Sequence, residues 1–394
     1  MGDESGAAIL IEGPRYFGEH FPRRKVSALI RAAVLAAATL CLAGANQDAL
    51  AQDACPNCPT PPPVVIPEIP TGLVQLSAQP ALFDITSHFL RRLGDQATSG
   101  AAVWKPPNPD GGGADADVAA VQRYRAWSEL YGMTAHTGAK ANFTGDRRNA
   151  FGGIAGIGAT VATGVNLAFS ADQSQTRIRV TGLPQSATLD MTQLGGQGSF
   201  ELGAFTLGLA GVYGFGHVES SRTAIGGGTS LASYGAQAWA ALGELSYLWQ
   251  IGNSRVVPKL GMDWTRTETN PFTEAGGALP ISATGQVSER TRAFIATEFG
   301  HTWLADRTIY DATVYVRLID NLRQDISTVQ AVTALGPAAV VSIQGIKESQ
   351  FGFDGGATFS IKPTAMTRLY AMYDVRLRDG YDLQIGTLGL EVRW

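Results

Sequence analysis

From residue 125 onward the chain is a succession of about a dozen segments in which apolar and polar residues alternate, and this period of two constrains the fold more than any other feature. The last eight residues are the clearest case. Leu388, Leu390, Val392 and Trp394 point one way, while Thr387, Gly389, Glu391 and Arg393 point the other. Such alternation is a β-strand with one apolar and one polar face, and a terminal aromatic suits a membrane–water interface. An edge strand of a soluble sandwich alternates in the same way, so this segment alone leaves both architectures open.

The remaining segments repeat the pattern at a length of roughly 9 to 11 residues, which a tilted membrane strand requires. Tyr310-Ala312-Val314-Val316-Leu318 interleaves with Asp311-Thr313-Tyr315-Arg317, and Leu369-Ala371-Tyr373-Val375-Leu377 with Arg368-Tyr370-Met372-Asp374-Arg376. Phe205 to Phe215 and Trp239 to Trp249 behave likewise. Further strands are expected near 126–137, 149–160, 163–178, 189–202, 255–268, 288–304, 348–361 and 384–394. The connections after even-numbered strands are short, as at Thr160 to Thr163 and Leu202 to Ala204. Those after odd-numbered strands read as long and polar or glycine-rich, as at His136 to Arg148, Val180 to Thr188, Val218 to Ala232, Thr269 to Val287 and Asn321 to Lys347. Short turns on one rim and long loops on the other characterise an outer-membrane β-barrel. The fold class expected is all-β: a transmembrane antiparallel barrel of about 12 strands.

Composition agrees. Glycine is abundant, at 47 of 394 residues, and charged residues make up only 16%, below the roughly 25% of soluble domains. Mean hydropathy stays near zero, because a barrel hides its apolar residues in alternation. A net charge of −4 leaves no basic footprint for nucleic acid.

The N-terminus reads as an export signal. Arg23, Arg24 and Lys25 precede the apolar run Val26 to Ala45, and Ala49-Leu50-Ala51 offers a small-x-small cleavage site before Gln52. Ala32 to Ala45, the part uninterrupted by Arg31, is too short to cross about 30 Å of hydrocarbon as a helix. The layout expected is a signal peptide with an extended charged region (1–51), a Pro-rich linker (52–76), a helix (77–97), a flexible connector (98–124) and the barrel (125–394). In the helix Leu82, Ile85, Phe89 and Leu93 recur at helical spacing, Ser77 is a candidate N-cap, Pro80 falls in the first turn and Gly94 ends the element. Cys55 and Cys58 form a C-x-x-C in an oxidising compartment, where a small disulfide is the expected state. A redox role would need a βαβ setting, and a zinc site two more ligands.

In sequence, Tyr370-Ala371-Met372-Tyr373-Asp374, Asp379-Gly380-Tyr381 and the terminal Leu388 to Trp394 resemble the end of an autotransporter β-domain. Trp127 to Gly132, Phe151-Gly152-Gly153 and Gly164 to Ser170 resemble its opening strands, and Pro258-x-Leu260-Gly261-Met262 its middle. The resemblance covers roughly Leu82 to Trp394 and implies a twelve-stranded barrel of the type V secretion class, in the outer membrane of a Gram-negative bacterium, with the preceding helix running through the pore. It implies as partners outer-membrane lipid and, during biogenesis, periplasmic chaperones and the barrel assembly machinery, whose signal Thr387, Gly389, Val392 and Trp394 match. A monomer is expected. The chain departs from the family in two respects. Residues 52–76 leave little or no passenger, and no Asn-Asn pair lies near Ala81 to Gln96 for self-cleavage.

Charges on the lipid face would cost several kcal/mol near the midplane, so the polar strand faces should line the lumen. That assigns Glu244, Asp263, Arg292, Glu298, Asp311, Arg317, Arg368, Asp374 and Arg376 to the interior, pairing with one another and with Arg91 or Arg92 of the helix. Of the histidines, His20 leaves with the signal, while His88, His136, His217 and His301 are read as interfacial or solvated. No nucleophile motif accompanies them, so neither catalysis nor a cofactor or metal is expected. Gly153 to Gly158 mimics a dinucleotide loop but lies inside a strand, where its glycines would let the wall approach a bulky plug. Trp249, Trp264, Trp303, Trp394, Tyr247 and Tyr310 are candidates for interfacial girdles. The apolar loop from Ala331 to Ile343 either extends a hairpin or makes an adhesive contact. A surface adhesin acting through its long loops is the alternative function, and a barrel hydrolase a weaker third.

Overall fold

The computed structural model describes residues 74–98, 123–140, 143–223, 227–277, 280–306, 308–333 and 340–394. The signal peptide, the linker with Cys55 and Cys58, and the connector lie outside the described residues. One helix, α1 (Val74–Thr98), precedes a series of strands: β1 (Tyr124–Thr137), β2 (Asp146–Ala162), β3 (Val165–Val180), β4 (Gln185–Leu202), β5 (Phe205–Thr223), β6 (Thr229–Tyr247), the short β7 (Trp249–Ile251) and β8 (Ser254–Thr269). After them come β9 (Phe272–Thr273), β10 (Ile281–Ala283), β11 (Gln286–Ala305), β12 (Thr308–Ile326), β13 (Thr328–Thr333), β14 (Val340–Gln344), β15 (Phe351–Lys362), β16 (Thr367–Arg378) and β17 (Tyr381–Arg393).

Twelve of these strands form a closed antiparallel barrel. Each pairs with its predecessor, and the circuit is completed where β17 meets β1 from Arg125↔Arg393 to Thr137↔Tyr381. Closure pairs every strand on both sides, which removes the edge that lipid could not satisfy. On the short-turn rim the hairpins are as tight as their sequences suggest. Gly164 (φ 74°) and Gly203 (φ 65°) take the left-handed backbone that such two-residue turns demand.

The opposite rim differs from the sequence reading. Much of what looked like long loop is strand. β3 and β4 are joined by only the residues 181–184, and β5 and β6 continue to Thr223 and Thr229. The alternation fades there because both faces carry polar side chains, as in Glu219-Ser220-Ser221-Arg222, although the hydrogen-bonded ladder runs on. The two genuinely long connections fold into a second, four-stranded sheet in the order β14-β13-β10-β9. Its residues Phe272, Ile281, Val329, Ala331 and Ile343 are buried in the apolar cluster that also holds the helix. The segment from Ala331 to Ile343 thus turns apolar side chains inward at both ends, because the sheet gives them a core to join.

The wall has two zones of opposite polarity. Toward the short turns the exterior is an apolar belt, with Phe169 71% exposed and Ile157, Leu194, Leu260, Ile295 and Leu388 also on the outside, while the interior carries charged side chains. Toward the other rim the exterior becomes polar, at Gln175, Arg177, Asp190, Glu219 and Glu268, and the interior along β3 to β6 becomes apolar, at Ile178, Leu189, Met191, Val218 and Ala236. The first zone matches hydrocarbon outside and water inside, and the second is built like a soluble barrel.

At the short-turn rim aromatic rings face outward in a row. Trp303 stacks on Tyr310 at 5.9 Å between centroids, and Tyr124 on Trp394 at 6.2 Å. Trp249 and Tyr247 are exposed on the same rim, whereas Trp264 is half-buried higher on β8.

Candidate functional site

The lumen is occupied by α1, which is buried on every side. Its 25 residues extend about 37 Å at 1.5 Å per residue, more than the hydrocarbon thickness. The backbone N–H of Val74 donates to Gln185 Oε1 (2.9 Å) beside the β3–β4 turn. At the other end the Thr98 hydroxyl donates to Glu244, and Lys259 Nζ reaches that hydroxyl at 3.3 Å. The helix therefore enters at the long-connection rim and leaves at the short-turn rim.

Its extent corrects the sequence reading at both ends. Ser77 is a buried residue within the helix rather than its cap, Pro80 lies inside rather than in the first turn, and Gly94 continues the helix to Thr98. Gly94 serves close approach instead of termination: a Cβ there would lie 2.4 Å from a methyl of Leu242 on β6. Gly195 on β4 does the same from the wall, since a Cβ would meet Leu93 at 2.5 Å and Phe89 at 3.0 Å. The glycines of 153–158 have another task. A Cβ at Gly156 would strike the Trp127 ring at 2.3 Å, so this glycine makes room for an inward aromatic of β1, while Gly153 and Gly158 lie against Leu130 and Ala168, and none of the three contacts the plug.

Of the pore-helix residues singled out, Leu82, Ile85, Phe89 and Leu93 are buried in the apolar cluster, and Arg91 and Arg92 carry the polar contacts. Arg92 grips Glu129 of β1 through both carboxylate oxygens (2.8 and 2.5 Å). Tyr370 (2.6 Å) and Gln96 (3.3 Å) donate to the same carboxylate. Arg91 pairs with Asp354 of β15, which also receives Arg378 at 2.8 Å. Nearer the other rim, Asp84 accepts from Arg148 (3.1 Å) and from the Tyr381 hydroxyl (2.6 Å). Ser87 accepts from Arg290 at 2.7 Å. Each buried charge here meets an opposite charge, the condition under which burial is tolerated.

The nine residues assigned to the lumen all point inward, and most are joined in two groups. Glu244, Glu298 and Arg317 meet around Lys259, with Lys259–Glu244 at 3.4 Å, Lys259–Glu298 at 3.5 Å and Arg317–Glu244 at 3.6 Å. Asp311 is held by Arg255 (2.5 Å), which also approaches Glu298 at 3.5 Å. Asp263 and Arg292 form a separate bidentate pair at 2.8 and 3.1 Å. Arg368 faces Glu391 at 4.0 Å, and Asp374 accepts from Tyr315 at 2.7 Å. Arg376 is buried nearby. Sequence reading did not pick out Glu129, Arg148, Asp354, Arg255 or Lys259. Their inward phase was legible in the alternation, as for Glu129 between Trp127 and Tyr131. Their partners were not, because pairing across a lumen depends on register around the whole circuit.

Thr387 and Gly389 of the terminal strand face inward, Val392 and Trp394 outward, and a Cβ at Gly389 would overlap the Tyr370 ring. The histidines divide. His88 is buried rather than solvated, packed on Tyr131 at 4.5 Å between ring centroids, because the helix that bears it is enclosed. His136, beside Asp382 at 3.5 Å, sits at the rim. His217 touches Ser233 and His301 touches Ser254, each at 2.8 Å, on the outer wall. No carboxylate bonds the second nitrogen of either ring among the described residues, so neither pair forms the relay that activates a serine. No group of metal-ligating residues is present among the described residues.

Residues 126–374 match the family model described as autotransporter β-domain. Among solved structures, the translocator domain of autotransporter NalP from Neisseria meningitidis superposes with a TM-score of 0.61 at 13% identity, covering 81% of this chain and 98% of that one. The β-domain of the Bordetella autotransporter BrkA does so with a TM-score of 0.53 at 13% identity, covering 69% of this chain and 100% of that one. An extracellular serine protease of Serratia marcescens is 24% identical over 184 residues, which is 46% of this chain and 18% of that protein. The chain thus spans under a fifth of that relative's length.

Proposed function

The chain belongs to the autotransporter β-domain family, and from that premise we propose that its barrel carries its own N-terminal segment across the membrane and then keeps α1 as a plug. The protein resides in the outer membrane of a Gram-negative bacterium as a translocator-type barrel, a family whose work is transport. The observation that carries the proposal is a helix buried on all sides whose two ends lie at opposite rims. The N-terminal end of α1 lies at the long-connection rim, which faces outward in barrels of this class. The Pro-rich residues 52–73 would then stand at the cell surface.

The layout of signal peptide, linker, helix and barrel is part of this reading, as is assembly through the motif Thr387, Gly389, Val392 and Trp394 by the barrel assembly machinery. This reading assigns no chemical step to the serine–histidine contacts on the wall, and it gives the paired lumen charges the task of holding the plug. The test is labelling of Cys55 and Cys58 with a membrane-impermeant maleimide in intact cells after mild reduction. Modification without permeabilisation is expected. Modification only after the outer membrane is opened would mean that the segment never crossed.

An adhesin acting through its loops draws less support. Ala331 and Ile343, at the ends of the segment that suggested a sticky tip, are buried, while Val340 within it is exposed.

A further inference from the structure

On the outer wall of β2 and β3, just above the apolar belt, three arginines stand together. Register places Arg147 opposite Arg179 and Asn149 opposite Arg177. All three guanidinium groups are on the exposed face. Other arginines on the outer wall toward this rim are paired: Arg266 with Glu289 at 2.9 Å, Arg323 with Asp325 at 2.6 Å. Among the described residues nothing pairs with the side chains of Arg147, Arg177 or Arg179. The nearby Asp190 accepts from Gln175 at 2.8 Å and forms no ion pair with any of the three.

Below them along the same strands come Phe151 opposite Gln175 and Gly153 opposite Gln173, and from Ala155 and Ala171 downward the wall is apolar and small. Phe151 lies one outward position beneath Asn149, about 7 Å along the strand at two residues per step. Then come Ala155 with Ala171 and Ile157 with Phe169. The neighbouring strands add Gly196, Gly211 and Leu194, so that the surface forms a shallow trough between the Phe169 and Tyr213 rings. A groove shaped by alanine and glycine between larger side chains suits extended hydrocarbon chains. Guanidinium groups above it, with Arg177 six residues up β3 from Ala171, suit phosphate, which they bind through paired N–H donors.

We propose that this face is a docking site for one phosphorylated, multiply acylated glycolipid of the outer leaflet, with its phosphates on Arg147, Arg177 and Arg179 and its acyl chains in the trough. The long-connection rim faces that leaflet, so the arginines sit at headgroup depth and the trough at acyl depth. Three unpaired positive charges favour this occupant over a zwitterionic phospholipid, and they repel the same patch on a second copy of the chain.

The full chain, purified in detergent and stripped of lipid, is titrated with bisphosphorylated lipid A, with the same lipid lacking its phosphates, and with phosphatidylethanolamine, and bound species are read by native mass spectrometry. Bisphosphorylated lipid A is expected to bind at least tenfold more tightly than either control. The triple variant Arg147→Gln/Arg177→Gln/Arg179→Gln should lose that preference, Ile157→Ala/Phe169→Ala should weaken both lipid A forms alike, and Arg266→Gln should change neither. Heat-dependent gel mobility confirms that each variant is folded, and the three single variants replace the triple if it is not. Equal binding of all three lipids, undiminished preference in the triple variant, or protein dimers in place of lipid adducts would each overturn the proposal. Loss of the folded gel form in the unsubstituted chain would instead indict the barrel itself.

Discussion

The membrane zone and the zone above it hold the same helix by different means. Within the membrane, α1 is tied to the wall by ion pairs, Arg92 to Glu129 and Arg91 to Asp354, and the wall shows hydrocarbon side chains to lipid. Beyond it, Val74, Leu82 and Ile85 sink into an apolar core with Ile178, Leu189 and Met191, which surrounds the ion pair of Asp84 with Arg148, and the wall shows arginine, glutamine and glutamate to water. The reason is solvent. Where lipid takes the outer face, the apolar residues are spent there and the lumen is left polar; where water takes it, burying apolar surface inside is the more favourable choice. Paired charges fix register and angle, since a bidentate contact tolerates little rotation, whereas apolar packing supplies cohesion.

The contrast predicts distinct losses in each zone. The largest effect is expected from removing one member of a helix–wall pair. Glu129→Ala leaves Arg92 with only the more distant Asp95, at 3.5 Å, and breaking a buried pair in this way costs about 3–5 kcal/mol. The urea midpoint of the barrel refolded in vesicles should fall accordingly, while the double variant Arg92→Met/Glu129→Leu should recover much of it. If the single variant were as stable as the parent, the pairs would be ornaments of a helix held by packing alone.

In the upper zone Leu82→Ala should cost roughly 2–5 kcal/mol through the cavity it leaves. Unlike the Glu129 variant, it should show no rescue by a second apolar substitution at a charged partner, because none is involved. A next, smaller change probes the fit of helix to wall. Gly195→Ala puts a methyl where Leu93 and Phe89 already lie, and overpacking of this kind costs about 1–3 kcal/mol. Single-channel recordings should show more frequent opening as the plug is displaced, whereas Gly196→Ala, on the outward face, should leave the current unchanged.

The exterior gives the most graded pair. Phe169→Arg, in the belt, should destabilise by about 2–4 kcal/mol, while Gln175→Arg, three outward positions higher on the same strand, should cost about 0–1 kcal/mol. Equal penalties would erase the boundary between the zones. Smallest of all, Gln237→Lys on the polar exterior of β6 should lie within about 0.5 kcal/mol of the parent.

Much of this was readable before any coordinates. Leu388 to Trp394, Tyr310 to Leu318 and Leu369 to Leu377 carry their phase in plain alternation because one face meets lipid and the other water. The same reading faltered where that asymmetry ends. In Val218 to Ala232 both faces are polar or small, so strands passed for loop. The helix was found from Leu82, Ile85 and Phe89, but its ends were misplaced, since Gly94 and Ser77 look like terminators and are in truth small residues needed in a crowded lumen. Charge partners such as Asp84 and Arg148 are 64 positions apart, a juxtaposition that only the closed circuit and the position of the plug create.

A disulfide between plug and wall tests the central claim most directly. The Ala97 Cβ lies 3.4 Å from where a Cβ on Gly208 would stand, close to the roughly 3.5–4.5 Å that a disulfide spans. The variant Ala97→Cys/Gly208→Cys, with Thr98→Ala to make room and the native cysteines replaced by serine, should form that bond in native outer membranes under mild oxidation, as a mobility shift reversed by reductant. A folded, heat-modifiable barrel that never forms the bond would mean that the helix does not sit in the lumen.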